Sequence, residues 1–114
     1  MENSIKIFKA LSDESRMRIF NLLLLTGREI NGRKISLALN IPQYAVSKHT
    51  QILLNAGLIE KRRDAQSVNF SVSPFTKIRK VEFLKFFDSI FENSEKFRED
   101  LQRFKEMVEG EIER

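Results

Sequence analysis

The chain has 114 residues, of which 41% are hydrophobic and 32% charged, with a formal net charge of +4. That is enough for one domain with a real core and too little for two independent ones, and the balance is that of a globular rather than a disordered chain. It holds no cysteine and a single histidine, His49, which excludes disulfides, thiolate metal sites and cysteine catalysis together.

The charge is divided along the chain. Residues 1–80 carry 14 Lys/Arg against 6 Asp/Glu, and residues 81–114 carry 6 against 10. A basic body suits a polyanionic partner, and an acidic tail implies a different task for the last part of the chain. The N-terminal stretch has no charged leader followed by an apolar run, and the densest apolar run, IFNLLLL at 19–25, is too short to cross a bilayer. A cytoplasmic protein with no membrane partner is expected.

Ile5, Phe8 and Leu11 recur at helical spacing and predict a short first helix over 3–11. Ser12, followed by Asp13 and Glu14, supplies a capping hydroxyl and first-turn acids for a second helix. This helix buries Met17, Ile19, Phe20, Leu22, Leu23 and Leu24 and ends at Thr26-Gly27. A third helix, from about 31 to 39, buries Ile35, Ala38 and Leu39. Asn40 tolerates the left-handed turn, and Pro42 suits the start of the next helix. LALNIPQYAVSKH therefore reads as helix, short turn, helix.

The fourth helix runs to about Ala56 and stops at Gly57. Ala45, Val46, His49, Thr50 and Leu53 form its inner stripe. Gln43, Tyr44, Ser47, Lys48 and Gln51 form an outer face free of acids. LIEKRR and SVNFSV then read as two strands joined by DAQ, a hairpin in the position of a wing. Ser73-Pro74 begins a final helical region. From there the apolar positions Phe83, Phe87, Ile90, Phe97, Leu101, Phe104 and Val108, with Ser94 as the one break, follow a heptad seam. Such a seam predicts self-association through a long C-terminal helix, because a small domain has little surface left to cover it.

The expected fold class is mainly α with a small β-hairpin: a winged helix-turn-helix body over residues 1–73 and a C-terminal dimerisation helix over 74–114. The dimerising set is Ile5, Phe8 and the seven apolar seam residues.

FKALSDESRMRIFNLLL resembles the opening of ArsR-type winged-helix transcriptional repressors, which read Leu-Ser-Asp-Pro-Thr-Arg-Leu-Arg-Ile-Leu there. ISLALNIPQYAVSKHTQILLNAGLIEKRR is similar to their helix-turn-helix and wing, with Gln43, Val46, Ser47, His49, Ala56, Gly57 and Leu58 at the recurring positions. The likeness covers about residues 5–72. It implies a homodimer that binds double-stranded operator DNA, most simply as a repressor on a palindromic site with half-sites ~10 bp apart. Gln43, Tyr44, Ser47 and Lys48 are then expected in the major groove, where glutamine can pair bidentately with adenine. Arg33, Lys34, Arg62 and Arg63 are expected on phosphates, with Gln66 at the wing tip. Gln51 and Asn55 are expected to be plain exposed helix residues.

Two departures from the family pattern matter. The wing tip reads Ala65-Gln66 where the family often has Gly-Arg, so insertion into a minor groove is weakened. Metal-sensing members carry Cys-Val-Cys where this chain has Asn31, Gly32 and Arg33, and no histidine follows position 49. No metal, cofactor or catalytic residue is expected. His49 is read as a residue packed between helices, one ring nitrogen within reach of a phosphate. An interaction or RNA-binding module that recruits a partner through the C-terminal helix is the alternative. An apolar effector seated among the phenylalanines is left open, and no phosphate loop or nucleophile motif supports an enzyme.

Overall fold

The computed structural model describes residues 1–91 and 95–113. Helices α1 (Glu2–Ala10) and α2 (Glu14–Thr26) lead into a short strand β1 (Ile30–Asn31). Helices α3 (Gly32–Leu39) and α4 (Gln43–Asn55) follow, then strands β2 (Ile59–Asp64) and β3 (Ser67–Val72). Helices α5 (Pro74–Ile78), α6 (Lys80–Ile90) and α7 (Glu95–Glu113) complete the chain. The sheet is antiparallel, in the order β1-β3-β2, with Ile30 opposite Phe70 and Arg62 opposite Asn69. The fold is therefore a mainly helical winged helix-turn-helix with a long C-terminal helix, as expected, and the small sheet has three strands rather than the two of the hairpin.

Local chemistry explains most of the boundaries. Gly27 closes α2 in the left-handed region at φ 62°, where a side chain would be strained. Asn40 takes the same conformation at φ 56° and ends α3. The turn it starts is closed by Ile41, whose backbone N donates to the Ser36 carbonyl at 3.1 Å. Ser73 caps α5 and also donates to the Gly57 carbonyl at 2.7 Å, which ties the final helical region to the end of α4. The cap of α2 is Asp13 rather than Ser12: its carboxylate accepts from Arg16 N at 3.0 Å, and Ser12 Oγ turns back to the Lys9 carbonyl. A carboxylate is the better acceptor at the positive end of a helix. Pro42 is the N-cap of α4, one position earlier than a first helical residue.

Phe20, Ile19 and Leu22–Leu24 of α2 lie at the centre of the core, with Ile35, Leu39, Val46, Leu53, Leu58, Phe70 and Val72 around them. Met17, expected inside, is only half-buried.

The main correction concerns the C-terminal region. Residues 74–113 do not run as one helix with a free seam. The helical path breaks after Ile90, and α7 returns to pack on α2 and α3. Phe87 and Phe104, expected at a dimer interface, are buried in this chain's own core, and Phe83, Phe97, Leu101 and Val108 are half-buried against it. Ser94 of the expected seam lies outside the described residues. A stack of rings at the α6–α7 corner explains the return: Phe20 meets Phe83 edge-on at 5.2 Å, and Phe87 lies 6.2 Å from Phe97. Folded back, the apolar stripe buries Phe87 and Phe104 and part of its other side chains within this chain, while Ile90 stays 54% exposed.

Candidate nucleic-acid interface

α4 is set by the turn at Asn40 and by its inner stripe. Val46, Thr50 and Leu53 are buried, and Thr50 Oγ1 donates to the Val46 carbonyl at 2.7 Å. The opposite face is left outward: Gln43, Tyr44, Ser47, Lys48 and Gln51 are all exposed, Tyr44 by 79%. An open groove of about 620 Å³ runs between this helix, the start of α3 and the wing. Gln43, Ser47 and Gln51 line it from α4, Arg33 from α3, and Lys61 and Gln66 from the hairpin. Among the described residues, no acidic side chain lines it.

The structure thus brings together Gln43, Ser47, Arg33 and Gln66 of the expected set. Tyr44 and Lys48 are exposed on the same helix but do not line the groove. Lys61 is a member the sequence reading missed. Alternation along β2 could have found it, since positions 61 and 63 share one face and 62 takes the other.

Two expected phosphate contacts are already engaged. Arg62 is held by Glu29, with Nε 3.0 Å and Nη2 2.8 Å from carboxylate oxygens, and Asp64 lies 3.8 Å away. The hydrogen bond from Arg62 lowers the pKa of Glu29, and the same bond raises that of Arg62. Lys34 is paired with Glu111 of α7. Arg63 is exposed. Gln51 and Asn55 are exposed and hydrogen-bond each other at 3.0 Å.

His49 faces the corner between α1 and α2. Its Nδ1 lies 3.2 Å from Arg16 Nη1 and 3.9 Å from Asp13, and Arg16 Nε in turn donates to the Ala10 carbonyl at 2.7 Å. Burial lowers its pKa against the opposing pull of Asp13, and the nearby Arg16 and Lys48 lower it further. Its Nδ1 is directed to this corner, so the histidine ties α4 to the front of α2. Among the described residues, no group of three or more His, Asp or Glu side chains could hold a metal ion.

α1 and α6 present an apolar surface. Phe8 is 68% exposed, Ile5, Phe86 and Ile90 are about half exposed, and a cavity of about 390 Å³ lies among Ile7, Leu11, Met17 and Phe83.

A short interhelical turn, a second helix with an acid-free outer face and an adjoining β-hairpin define a winged helix-turn-helix protein. No family model matches the chain. It is 39% identical over 62 residues to the uncharacterized HTH-type transcriptional regulator YceK of Bacillus subtilis, and 31% identical over 70 residues to the transcriptional activator HlyU of Vibrio cholerae. The matched segments are 54% and 61% of this chain, and they span 62% and 63% of those relatives' lengths. Its fold is similar to that of V. cholerae HlyU, with a TM-score of 0.65 at 26% identity over 75% of this chain and 92% of that one. It is also similar to the homodimeric winged helix-turn-helix DNA-binding domain of Mycobacterium bovis Mb0332, a possible ArsR-family regulator, with a TM-score of 0.68 at 22% identity over 82% and 86%. The resemblance to ArsR-type regulators read from the sequence is borne out in the fold, and both sequence relatives are transcriptional regulators. Among the described residues, no helix is long and apolar enough to cross a membrane.

Proposed function

We propose that this chain is a DNA-binding transcription regulator that acts as a homodimer, with no catalytic role and no metal cofactor, in the cytoplasm. The observation that carries the reading is the acid-free groove that gathers Gln43, Ser47, Arg33, Lys61 and Gln66 from three elements. α4 enters the major groove and reads base edges through Gln43 and Ser47, with Tyr44 and Lys48 beside them. Arg33, Lys61 and Arg63 take backbone phosphates, which fix register and carry most of the affinity.

Two copies meet through α1 and α6, where Phe8 and Phe86 line one apolar cavity and Ile5 and Ile90 are exposed on the same two helices. This replaces the C-terminal seam as the dimerising face, although Ile5, Phe8 and Ile90 belong to both sets. Repression of a two-fold operator is the mode we favour.

The test is fluorescence anisotropy of the chain on DNA from upstream of its own gene, beside scrambled duplex, over a range of salt. Tight binding to the upstream fragment alone, with log K falling linearly in log salt, supports a sequence-reading regulator. Equal affinity for both duplexes, unchanged in a Lys48→Ala, Arg63→Ala double variant, overturns the reading. A reporter gene under that fragment gives the sign of regulation.

A further inference from the structure

Lys34, at the start of α3, holds the end of α7: its Nζ lies 2.9 Å from each carboxylate oxygen of Glu111. Between the two helices is a cavity of about 440 Å³, with Arg33 and Lys34 on one side and Glu106 and Glu111 on the other. It shares Asn31 and Arg33 with the acid-free groove beside α4. The last turns of α7 therefore place carboxylates at the rim of the surface proposed to face DNA, on a lysine suited to a phosphate. A carboxylate on a lysine has the charge and the acceptor geometry of a phosphodiester oxygen.

α7 is held unevenly along its length. Its first half is anchored by the buried Arg18–Asp100 pair and by Arg103, which donates to the Ala38 carbonyl. Met107 and Val108 still pack on the core, and beyond them the end of the helix is held at Lys34 by an exposed ion pair, a kind of contact that contributes little. Gly110 precedes Glu111 and weakens the helix there. Among the described residues, a Cβ at that position would meet nothing within 4 Å, so none of them imposes a steric need for glycine.

We propose that the acidic end of α7 is an autoinhibitory arm that competes with the DNA backbone for Lys34. Resting on the proposed DNA-binding function, it makes phosphate contact at α3 and docking of the last α7 turn mutually exclusive. DNA must first part Glu111 from Lys34, and Glu106 opposes the incoming phosphate as well. The acidic tail then moderates non-specific affinity, so that only a site offering base contacts holds the protein.

The test is anisotropy with a mixed-sequence 20-bp duplex at low salt, using the full chain. Glu111→Gln should tighten binding about 3- to 10-fold and steepen the log K against log salt slope by ~0.9, the contribution of one phosphate contact. In a Lys34→Gln background the same substitution should have no effect. Gly110→Ala, which firms the last turn, should weaken binding by about twofold. Wild-type binding that Glu111→Gln leaves unchanged, or an equal gain without Lys34, overturns the arm while leaving DNA binding intact. Failure of the folded wild-type chain to bind any duplex overturns the DNA-binding reading and the arm with it.

Discussion

Arg18 and Asp100 form a bidentate ion pair inside the protein, with Nε and Nη2 at 2.9 and 2.8 Å from the two carboxylate oxygens. They are 82 positions apart in sequence and join α2 to α7; Asp100 is 2% exposed. The hydrogen bond to Asp100 raises the pKa of Arg18 against the effect of burial. Arg18 also donates to the Leu39 carbonyl at the end of α3, so one guanidinium fixes three helices.

Removing one partner of such a pair leaves a buried charge uncompensated. Asp100→Ala should cost about 3–5 kcal/mol in urea unfolding. A joint Arg18→Met, Asp100→Leu replacement should recover most of that, because it removes the cost of desolvating both ions. A loss below about 1 kcal/mol for Asp100→Ala would mean that α7 is not held at this point.

His49 links stability to pH. Burial lowers its pKa, so the unfolded chain takes up the proton first as pH falls below 6.5, the ordinary value. Stability from this group is thus complete above pH 6.5 and is lost as pH drops toward the lower folded value. At Asp13, burial opposes the shift, but the hydrogen bond from Arg16 N and the charge of Arg16 win and lower its pKa from 3.8. That contribution is lost only in a more acid range. Urea midpoints between pH 7.5 and 5 should therefore fall in the wild type, and His49→Gln should flatten the fall. Equal slopes in the two proteins would sink the account.

What was legible in the sequence was what local chemistry decides. Gly27, Asn40 and Ser73-Pro74 mark their boundaries because a left-handed turn or a capped start needs those residues whatever surrounds them. β1 was missed because two residues, Ile30 and Asn31, carry no period; only their pairing with Phe70 and Asn69 makes them a strand. Asp100 was missed because a charged residue within a helix reads as solvated until its partner is known. The return of α7 was missed for a more general reason. Heptad spacing says which residues share a face, but a face covered by a second copy and a face covered by α2 and α3 have the same period. The acid-free outer face of α4 was legible at the candidate site, whereas the engagement of Arg62 by Glu29 and of Lys34 by Glu111 was not, since both are contacts between distant segments.

The wing turn stores strain that can be relieved. Ala65 has φ 53°, a left-handed conformation in which a Cβ is unfavourable. Ala65→Gly removes about 1–2 kcal/mol of that strain and frees the unfolded chain at a cost of about 0.5–1 kcal/mol, opposite terms of which the first is the larger. The expected net gain is up to about 1 kcal/mol, read from thermal or urea unfolding. Ala65→Val should instead cost about 1 kcal/mol or more, because a β-branched side chain is worse there. A stabilising valine would show that the turn does not hold this conformation in solution.

Arg62 and Arg63 are neighbours of equal charge on β2 and should still differ in their effect on DNA. Arg62 is bound by Glu29 and lies near Asp64 on one face of the hairpin, whereas Arg63 shares the other face with Lys61, which lines the groove. A cation already neutralised releases few counterions when a phosphate arrives. Arg63→Ala should therefore lower the salt slope by ~0.9 and weaken binding on every duplex alike. Arg62→Ala should change affinity about twofold or less, as loss of an exposed, internally paired charge does. Glu29→Gln provides the control, because it frees Arg62 without touching the groove. If Arg62→Ala weakens binding as much as Arg63→Ala does, and Glu29→Gln leaves it unchanged, both faces of the hairpin meet the backbone and the orientation of the wing must be revised.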